Sequence, residues 1–250
     1  MTDELLTERS DHVMVLTLNR PQRHHAINHA LGKAIADTLD AAAEDPSVHA
    51  VVITGSGEKA FCAGQDMLEA TGVEGQLEDP STSSAYLAIE AAARSPLPLI
   101  AAINGYCYGG GAAMAIACDI LLASPNASFR LPGAEYGLVV AAASFPRLVG
   151  AGRAKELIYT ARKFSASEAL DWGMLNAIHE QPNLLNAATE LASEIAANSP
   201  IAVRESKRVI DMATLDAAAQ EYENIKNREL RGSEAQAGRF RDATHRVTGR

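Results

Sequence analysis

Two glycine-containing segments could present backbone amides to a negatively charged atom. The first, EKAFCAGQDM (58–67), carries the pair Ala63-Gly64 after a strand-like stretch, and the second, NGYCYGGGAAMAIACD (104–119), carries three consecutive glycines at 109–111. Glycine lets a ligand approach the backbone closely, and the start of a helix leaves N–H groups without internal partners. Two such turns can each offer one N–H to a single oxygen, which is how an enolate or a tetrahedral oxyanion is stabilised.

Other uses of these glycines have to be weighed. Glycine and alanine also occur where a helix lies close to a sheet, and the run at 109–111 alone does not separate packing from ligand binding. A dinucleotide fingerprint requires an early G-x-G-x-x-G motif, whereas this run lies in the middle of the chain with a different spacing. A nucleotide triphosphate site is disfavoured because no P-loop lysine follows.

The elements that would position these segments alternate along most of the chain. Hydrophobic patterning predicts strands at 13–18, 49–54, 98–103, 119–124, 127–131 and 175–180. It predicts helices at 31–44, 85–94, after the glycines, and at 165–173, where Ser165 and Glu168 form a capping box. Residues 58–81 read as a loop. We therefore expect an α/β core over residues 1–180.

From Asn183 onward the strand signals vanish and helical periodicity takes over, in NLLNAATELASEIAAN, IAVRESKRVIDMA and AAAQEYENIKNREL. This predicts a helical C-terminal region over residues 181–250. Its apolar stripes exceed what a small core can cover, so we expect them to dock on a neighbouring subunit.

Composition limits the class of protein. The 250 residues include 47% hydrophobic residues and carry a formal charge of −9, which disfavours nucleic acid and anionic membranes as partners. The three cysteines, Cys62, Cys107 and Cys118, form no CxxC pair, so we expect no disulfide scaffold and no metal site. The N-terminus lacks an apolar signal segment and no apolar run is long enough to span a bilayer, which favours a cytoplasmic protein.

The order and spacing of the FCAGQD and NGYCYGGG motifs are highly specific, and with them the chain resembles the enoyl-CoA hydratase/isomerase (crotonase) superfamily. The resemblance extends over nearly the whole chain, in the segments LNRPQRHHAIN (18–28), AVVITGSGEKAFCAGQD (50–66), PLIAAINGYCYGGGAAMAIACDI (98–120), ASFRLPGAEYGL (127–138) and SASEALDWGMLNAIHE (165–180). It implies a spiral of ββα units with a C-terminal helical trimerisation region, assembled as a homotrimer or a dimer of trimers.

The resemblance also implies a ligand and a site. The ligand is a CoA thioester, used as substrate without a further cofactor, and the oxyanion hole consists of the N–H groups of Gln65 and Gly110. CoA is expected to lie against His24, His25, Ala26, Ala63, Gln65, Asp66 and Met67. Candidates for binding its phosphates are Arg20, Arg23, Lys59, Lys207 and Arg239. On general grounds, adjacent histidines in a turn are expected at the surface.

This chain lacks the acid–base groups of the hydratases that it resembles. Their two glutamates correspond to Ala113 and Gly133, and the aspartate that related isomerases carry further on corresponds to Ala141. Glu135, two residues beyond the second vacant position, is the predicted base. Tyr136 is a weaker candidate because a phenol with an ordinary pKa of about 10 is a slow base at neutral pH.

Three hypotheses follow. The first is a hydratase- or isomerase-like enzyme that acts on an acyl-CoA through its enolate, with a displaced base. The second is a binding protein that keeps the oxyanion hole and the CoA groove without acid–base chemistry. The third is a hydrolase or lyase of the same fold. All three hypotheses predict an apolar acyl pocket. It is lined by the apolar segment GLVVAAASF (137–145), the loop 68–82 and parts of the C-terminal region. Cys62 and Cys107 are expected to be small buried residues.

Overall fold

The computed structural model describes residues 4–73 and 83–249. Within these ranges the strands are β1 Leu5–Ser10, β2 Val13–Leu18, β3 Ala50–Gly55, β4 Ala60–Cys62, β5 Leu99–Ile103, β6 Tyr106–Tyr108, β7 Ile120–Ala123, β8 Ser128–Arg130, β9 Phe164–Ser165 and β10 Ala177–Ile178. The helices are α1 His29–Glu44, α2 Met67–Ala70, α3 Ser84–Arg94, α4 Gly110–Ile116, α5 Pro146–Thr160, α6 Ala166–Asp171, α7 Leu184–Ala196, α8 Pro200–Thr214, α9 Ala217–Leu230 and α10 Glu234–Thr248.

Two sheets share the strands. The larger sheet has the order β1-β2-β3-β5-β7-β10 and is parallel except for the hairpin of β1 with β2. The smaller has the order β4-β6-β8-β9, in which β9 is antiparallel to β8. Successive strands alternate between the sheets, because β3, β5 and β7 lie in the larger sheet whereas β4, β6 and β8 lie in the smaller one.

This alternation brings three turns together. Because β4, β6 and β8 are parallel neighbours, their carboxyl ends lie at one edge of the smaller sheet. The turns that leave this edge contain the Ala63-Gly64 pair, the three glycines and the 131–133 segment. The fold thus places the two glycine-containing segments of the sequence side by side.

Apolar side chains fill the spaces around the sheets. Every residue of β3 and β5 is buried, as expected for parallel strands covered on both faces. On one side of the larger sheet, α7 contributes a stripe spaced four residues apart, consisting of Leu184, Ala188, Ala192 and Ala196. The remaining space is filled by the main core, which includes α1, α3 and the phenylalanines Phe61, Phe129, Phe145 and Phe164.

The four helices after residue 183 confirm the expected helical C-terminal region. On the two helices α8 and α9, large apolar side chains remain exposed on the single chain: Ile201, Val209, Ile210, Met212, Tyr222, Ile225 and Leu230. None of the helices that the structure describes is long and apolar enough to cross a membrane.

Several local predictions are confirmed and others are wrong. The capping box of Ser165 and Glu168 is present, with Glu168 N–H donating to the Ser165 hydroxyl. The loop predicted over 58–81 instead contains β4 and α2, while its residues 74–82 lie outside the described ranges. The strand predicted over 175–180 is reduced to Ala177–Ile178. Strands of two or three residues are too short to show an alternating pattern.

Candidate active site

A cavity of about 950 Å³ opens at the edge of the smaller sheet, where both glycine-containing turns contribute to its wall. Of the predicted site residues, those that line it are His24, Ala26, Ala63, Gln65, Asp66, Met67 and Gly110. Two others, His25 and Glu135, are not among its lining residues. The C-terminal region reaches the same cavity through Lys207, Glu223 and Arg231.

The first turn is fixed by the segment that precedes α1. Ala63 N–H donates to His24 O over 2.9 Å, Ile27 N–H donates to Gly64 O over 2.7 Å, and Asp66 N–H donates to Ile27 O over 2.9 Å. Ile27 and Gln65 thus form a parallel bridge. These backbone hydrogen bonds hold the amide of Gln65 in a fixed orientation at the cavity wall.

The two turns are in close contact. Gly64 has a φ of +96°, and a Cβ there would stand 2.8 Å from Tyr108 O and 2.9 Å from Gly110 N. A Cβ at Gly110 would stand 3.6 Å from Gln65 N and 2.9 Å from the Cβ of Ala85. Side chains are therefore excluded from both positions, and the amide nitrogens of Gln65 and Gly110 lie near one another at the same part of the cavity.

The neighbouring side chains are committed to structural contacts. Asp66 caps α2 by accepting from Leu68 N–H and Glu69 N–H, and Arg20 Nη1 stands 2.9 Å from its Oδ2. The Gln65 side chain accepts from Arg231 Nη1 over 3.1 Å, which ties the end of α9 to the first turn. Arg20, predicted as a phosphate ligand, is buried and is absent from the cavity lining.

The expectation that both histidines lie at the surface is wrong for His25, which is 1% exposed. Arg20 N–H donates to its Nδ1 over 2.9 Å, so the neutral ring carries its proton on Nε2, which lies 3.0 Å from Ser56 O. Burial lowers the pKa of His25. His24 is exposed at the cavity rim, in edge contact with Tyr106.

Glu135 is held away from the cavity by cations. Arg130 pairs with its Oε2, and Arg246 Nη2 stands 3.0 Å from its Oε1. Removing a proton from a ligand would require the carboxylate to leave both partners. Tyr136 lines the cavity, and burial raises the pKa of its hydroxyl, so the phenolate form is even rarer than for an ordinary tyrosine.

The positions without carboxyl groups also line the cavity. Ala113 is buried, and Ala141 is buried with a φ of 57°. At Gly133 a Cβ would stand 3.1 Å from Leu138 O, a tight contact that requires the following loop to shift slightly. Leu138, Val140 and Ala141, from the segment predicted to line the acyl pocket, are all lining residues.

A buried carboxyl group that the sequence did not single out lies in this cavity. Glu223 of α9 is 9% exposed, and Ala143 N–H donates to its Oε2 over 2.7 Å. Burial raises the pKa of Glu223, while the backbone N–H groups of residues 141–143 act in the opposite direction. No sequence signal marks this residue, because it is one of several acidic residues on a mostly polar helix.

Thiol and metal chemistry find no support in the described residues. Cys62, Cys107 and Cys118 are free and buried, and burial raises the pKa of Cys62 and of Cys118 to about 12. Within 4–73 and 83–249, no three His, Cys, Asp or Glu residues are placed to hold a metal ion. A reactive thiol requires a depressed pKa and access to solvent, and neither condition is met.

Comparison with known proteins agrees with this architecture. Residues 8–239 match the enoyl-CoA hydratase/isomerase family. The chain is 38% identical over 213 residues to the putative enoyl-CoA hydratase/isomerase YngF of Bacillus subtilis, covering 83% of this chain and 81% of that protein. It is 37% identical to the mevalonyl-coenzyme A hydratase sidH of Aspergillus fumigatus, covering 86% and 82%.

Solved structures show the same fold. An enoyl-CoA hydratase/isomerase from Pseudoalteromonas atlantica superimposes with a TM-score of 0.86 at 29% identity, covering 97% of each chain. EchA1_1 from Mycobacterium paratuberculosis superimposes with a TM-score of 0.83 at 34% identity, covering 96% of each. The chain therefore belongs to the enoyl-CoA hydratase/isomerase family and has the crotonase-like α/β fold with C-terminal helices, as the motifs predicted.

Proposed function

We propose that the protein is an enzyme that binds an acyl-CoA thioester and stabilises its enolate through the amides of Gln65 and Gly110. The observation that carries this proposal is the close approach of the two turns, in which a Cβ on Gly110 would lie 3.6 Å from Gln65 N. Two fixed N–H groups near one carbonyl oxygen stabilise the negative charge that develops there, and losing one such donor costs about 3 kcal/mol of barrier. Relatives named as enoyl-CoA hydratases support the substrate class.

The nucleotide end of CoA is assigned to the aromatic and basic rim at the end of β6. Tyr106 and Tyr108 stack with ring centroids 5.4 Å apart, and Lys163 Nζ lies 5.5 Å from the Tyr108 ring. Arg23 and His24 complete this part of the lining. Flat rings can stack on adenine and cations attract phosphate, so Lys163 joins Arg23 as a phosphate candidate.

The acyl group is assigned to the apolar part of the cavity around Leu138, Val140 and Ala141. These side chains offer no hydrogen bonds, so an uncharged aliphatic chain is the expected acyl group. On α8, the exposed apolar residues Ile201, Val209 and Met212 are assigned to contacts with other copies of the chain, as a trimer or a dimer of trimers, since such surface is rarely left in water. The cytoplasmic location stays a prediction.

The test uses acetoacetyl-CoA, whose 1,3-dicarbonyl group enolises readily, and butyryl-CoA, which does not. We expect calorimetry to show tighter binding of acetoacetyl-CoA, with the absorbance of its enolate appearing on binding. Equal affinities without enolate absorbance would contradict the two-amide assignment. No binding of either thioester would remove the acyl-CoA ligand itself.

A binding protein without catalysis is the second candidate. It is favoured by the absence of carboxyl groups at Ala113, Gly133 and Ala141, three positions that line the cavity. Turnover of crotonyl-CoA and of a 3-enoyl-CoA by the pure protein separates the two candidates. Binding of acetoacetyl-CoA as its enolate, with neither substrate converted, would favour the binding protein.

A further inference from the structure

Enolate formation requires a group that removes a proton from the α-carbon, which backbone amides cannot do. Five carboxyl-bearing residues line the cavity in the part of the chain that the structure describes: Asp66, Glu90, Asp119, Asp211 and Glu223. A proton acceptor must be within reach of the substrate and free to accept the proton. The contacts of each carboxyl group therefore decide which of them can serve.

Three of the five are neutralised by a cation. Asp66 Oδ2 stands 2.9 Å from Arg20 Nη1, Asp119 Oδ2 stands 2.8 Å from Lys207 Nζ, and Asp211 Oδ1 stands 3.1 Å from Arg147 Nη1. Each of these carboxylates would have to leave its cationic partner to accept a proton, although burial raises the pKa of Asp119. Glu90 is exposed on α3, where water competes for it.

Glu223 differs from the other four. It is buried, and within the described ranges no basic side chain is within ion-pair distance of it. Its Oε2 accepts from Ala143 N–H over 2.7 Å, which fixes the carboxyl group against the segment that lines the acyl part of the cavity. The backbone N–H groups of Ala141 and Ala142 also act on this carboxyl group. Burial raises the pKa of this carboxyl group, which makes its carboxylate a stronger base.

Helix α3 relates Glu223 to the two amides. Ala85 of this helix would touch a Cβ built on Gly110, at 2.9 Å. The next residue, Tyr86, lines the same cavity as Glu223. All four residues line the one cavity. A thioester whose carbonyl oxygen meets the amides, and whose acyl group lies along Leu138, Val140 and Ala141, would place its α-carbon in the cavity that Glu223 lines.

We propose that Glu223 is the acid–base group of this site and that it moves a proton between the α- and γ-carbons of a 3-enoyl thioester. This inference rests on the proposed function and adds its proton carrier. The Glu223 carboxylate takes the α-proton, the C–H electron pair forms a double bond to the carbonyl carbon, and the carbonyl π electrons move onto the oxygen. Glu223 then returns the proton to the γ-carbon, where the β,γ π pair forms the new C–H bond. The enolate C=C pair becomes the α,β double bond, and the electrons on the oxygen re-form the carbonyl.

This reaction needs no water, oxidant or second carboxyl group, because the proton lost from one carbon is the proton gained by the other. It therefore suits a cavity in which one buried carboxyl group is free of a cation. Hydration would in addition require an activated water molecule at the β-carbon. The chemical class of substrate is accordingly a thioester with a β,γ double bond.

The experiment compares the wild-type protein with Glu223→Gln, Glu223→Asp and the control Glu221→Gln, which changes an exposed glutamate on the same helix. Isomerisation of 3-hexenoyl-CoA is followed by the absorbance of the conjugated product, binding of acetoacetyl-CoA by calorimetry, and folding by urea unfolding. Glutamine keeps an oxygen that can accept from Ala143 N–H, so it preserves the structural contact while removing the base.

We expect Glu223→Gln to lower kcat by about a hundredfold or more, while the Kd for acetoacetyl-CoA changes by less than about threefold. Glu223→Asp, which keeps the carboxyl group on a shorter side chain, is expected to retain an intermediate rate, and Glu221→Gln the full rate. Glu223→Asp keeps the test decisive if the glutamine variant does not fold.

Three results overturn the inference. A rate for Glu223→Gln within about fivefold of wild type removes Glu223 as the base. If the glutamine variant misfolds, a wild-type rate for Glu223→Asp also removes it, because an intermediate rate is expected when the carboxyl group is on a shorter side chain. Wild-type protein that binds acetoacetyl-CoA as its enolate without isomerising 3-hexenoyl-CoA removes the reaction but leaves the thioester site. Wild-type protein that binds no thioester removes the proposed function together with this inference.

Discussion

The two parts of the cavity wall that bear on chemistry are built from different groups. At the ends of β4 and β6 the wall is backbone: Gly64 and Gly110 approach so closely that neither tolerates a side chain. Around residues 133–143 the wall is made mostly of apolar side chains, and the carboxyl group of Glu223 on α9 accepts from Ala143 N–H in this segment. The first part is determined by the sheet that carries it, whereas the second depends on which helix packs against the loop.

This difference has a physical origin. An amide donor is present at every residue except proline, so a turn that orients it correctly needs only permissive residues such as glycine. A carboxyl group is supplied by a side chain, and side chains from several elements can reach one point in a cavity. The proposed oxyanion site is therefore tied to the fold, while an acid–base group can be supplied from another element.

The largest effect is expected when the backbone part is disturbed. Gly64→Ala places a Cβ 2.8 Å from Tyr108 O and 2.9 Å from Gly110 N, at a φ of +96° that alanine rarely adopts. The two turns must move apart, and we expect kcat/KM for an enoyl-CoA to fall by about a hundredfold or more, as for loss of an oxyanion donor. Steady-state kinetics measure the loss.

The matched control is Gly152→Ala, because a Cβ there would meet no atom within 4 Å. It should leave kcat/KM unchanged. A Gly64→Ala enzyme with wild-type kinetics would show that the spacing of the two turns does not matter, and the contrast between the two parts of the wall would be lost.

Substituting Glu135 is expected to lower kcat less than substituting Glu223, and this difference distinguishes the two candidate bases. Because Arg130 and Arg246 occupy its carboxylate, Glu135→Gln should lower kcat by less than about tenfold, and partly exposed ion pairs of this kind contribute about 1 kcal/mol or less to stability. Kinetics and urea unfolding measure both quantities, with Arg246→Ala as the control that removes one partner. A hundredfold loss in Glu135→Gln would reinstate the base predicted from the sequence.

The smallest effect concerns the support of the first turn by His25. Burial lowers its pKa, so the unfolded chain binds a proton at a higher pH than the folded protein does. His25 thus contributes stability that is present above its ordinary pKa of 6.5 and is lost as the pH falls below that value. Urea unfolding at neutral pH and at about pH 5 should show a lower free energy of unfolding in acid.

His25→Asn should reduce this pH dependence, because it removes the titrating ring that Arg20 N–H contacts. The control His24→Asn keeps His25 and should keep the dependence. An equal slope for all three proteins would show that other groups cause the loss of stability in acid.

The sequence predicted most of the long strands and helices because their hydrophobic periodicity extends over the whole element. The strands near 13–18, 50–54 and 99–103 and the helix near 31–44 follow from their hydrophobic periodicity. Helix α5 escaped prediction, since it contains Gly150 in a non-helical conformation, with φ of 74°, and joins two helical pieces. The strand β1 also escaped, because most of its residues are at least partly exposed.

At the site, the motifs identified the two glycine-containing turns and the family, but not Glu223, the acid–base group that we propose. Glu135 was chosen because it is near in sequence to the vacant Gly133 position. Glu223 lies about ninety residues further on, and its burial arises only from the packing of α9. His25 was misjudged for the same reason, because its burial depends on contacts with Ser56 from another part of the chain.

The sequence by itself determined where the backbone must be free of side chains, because glycine is a local requirement that can be recognised one residue at a time. It also determined the alternation of strands and helices, which depends on neighbours in the chain. Only the tertiary structure decided which carboxyl groups are neutralised, buried or within the cavity. Those properties depend on solvent exclusion and on charges from distant segments, and a local pattern carries no record of either.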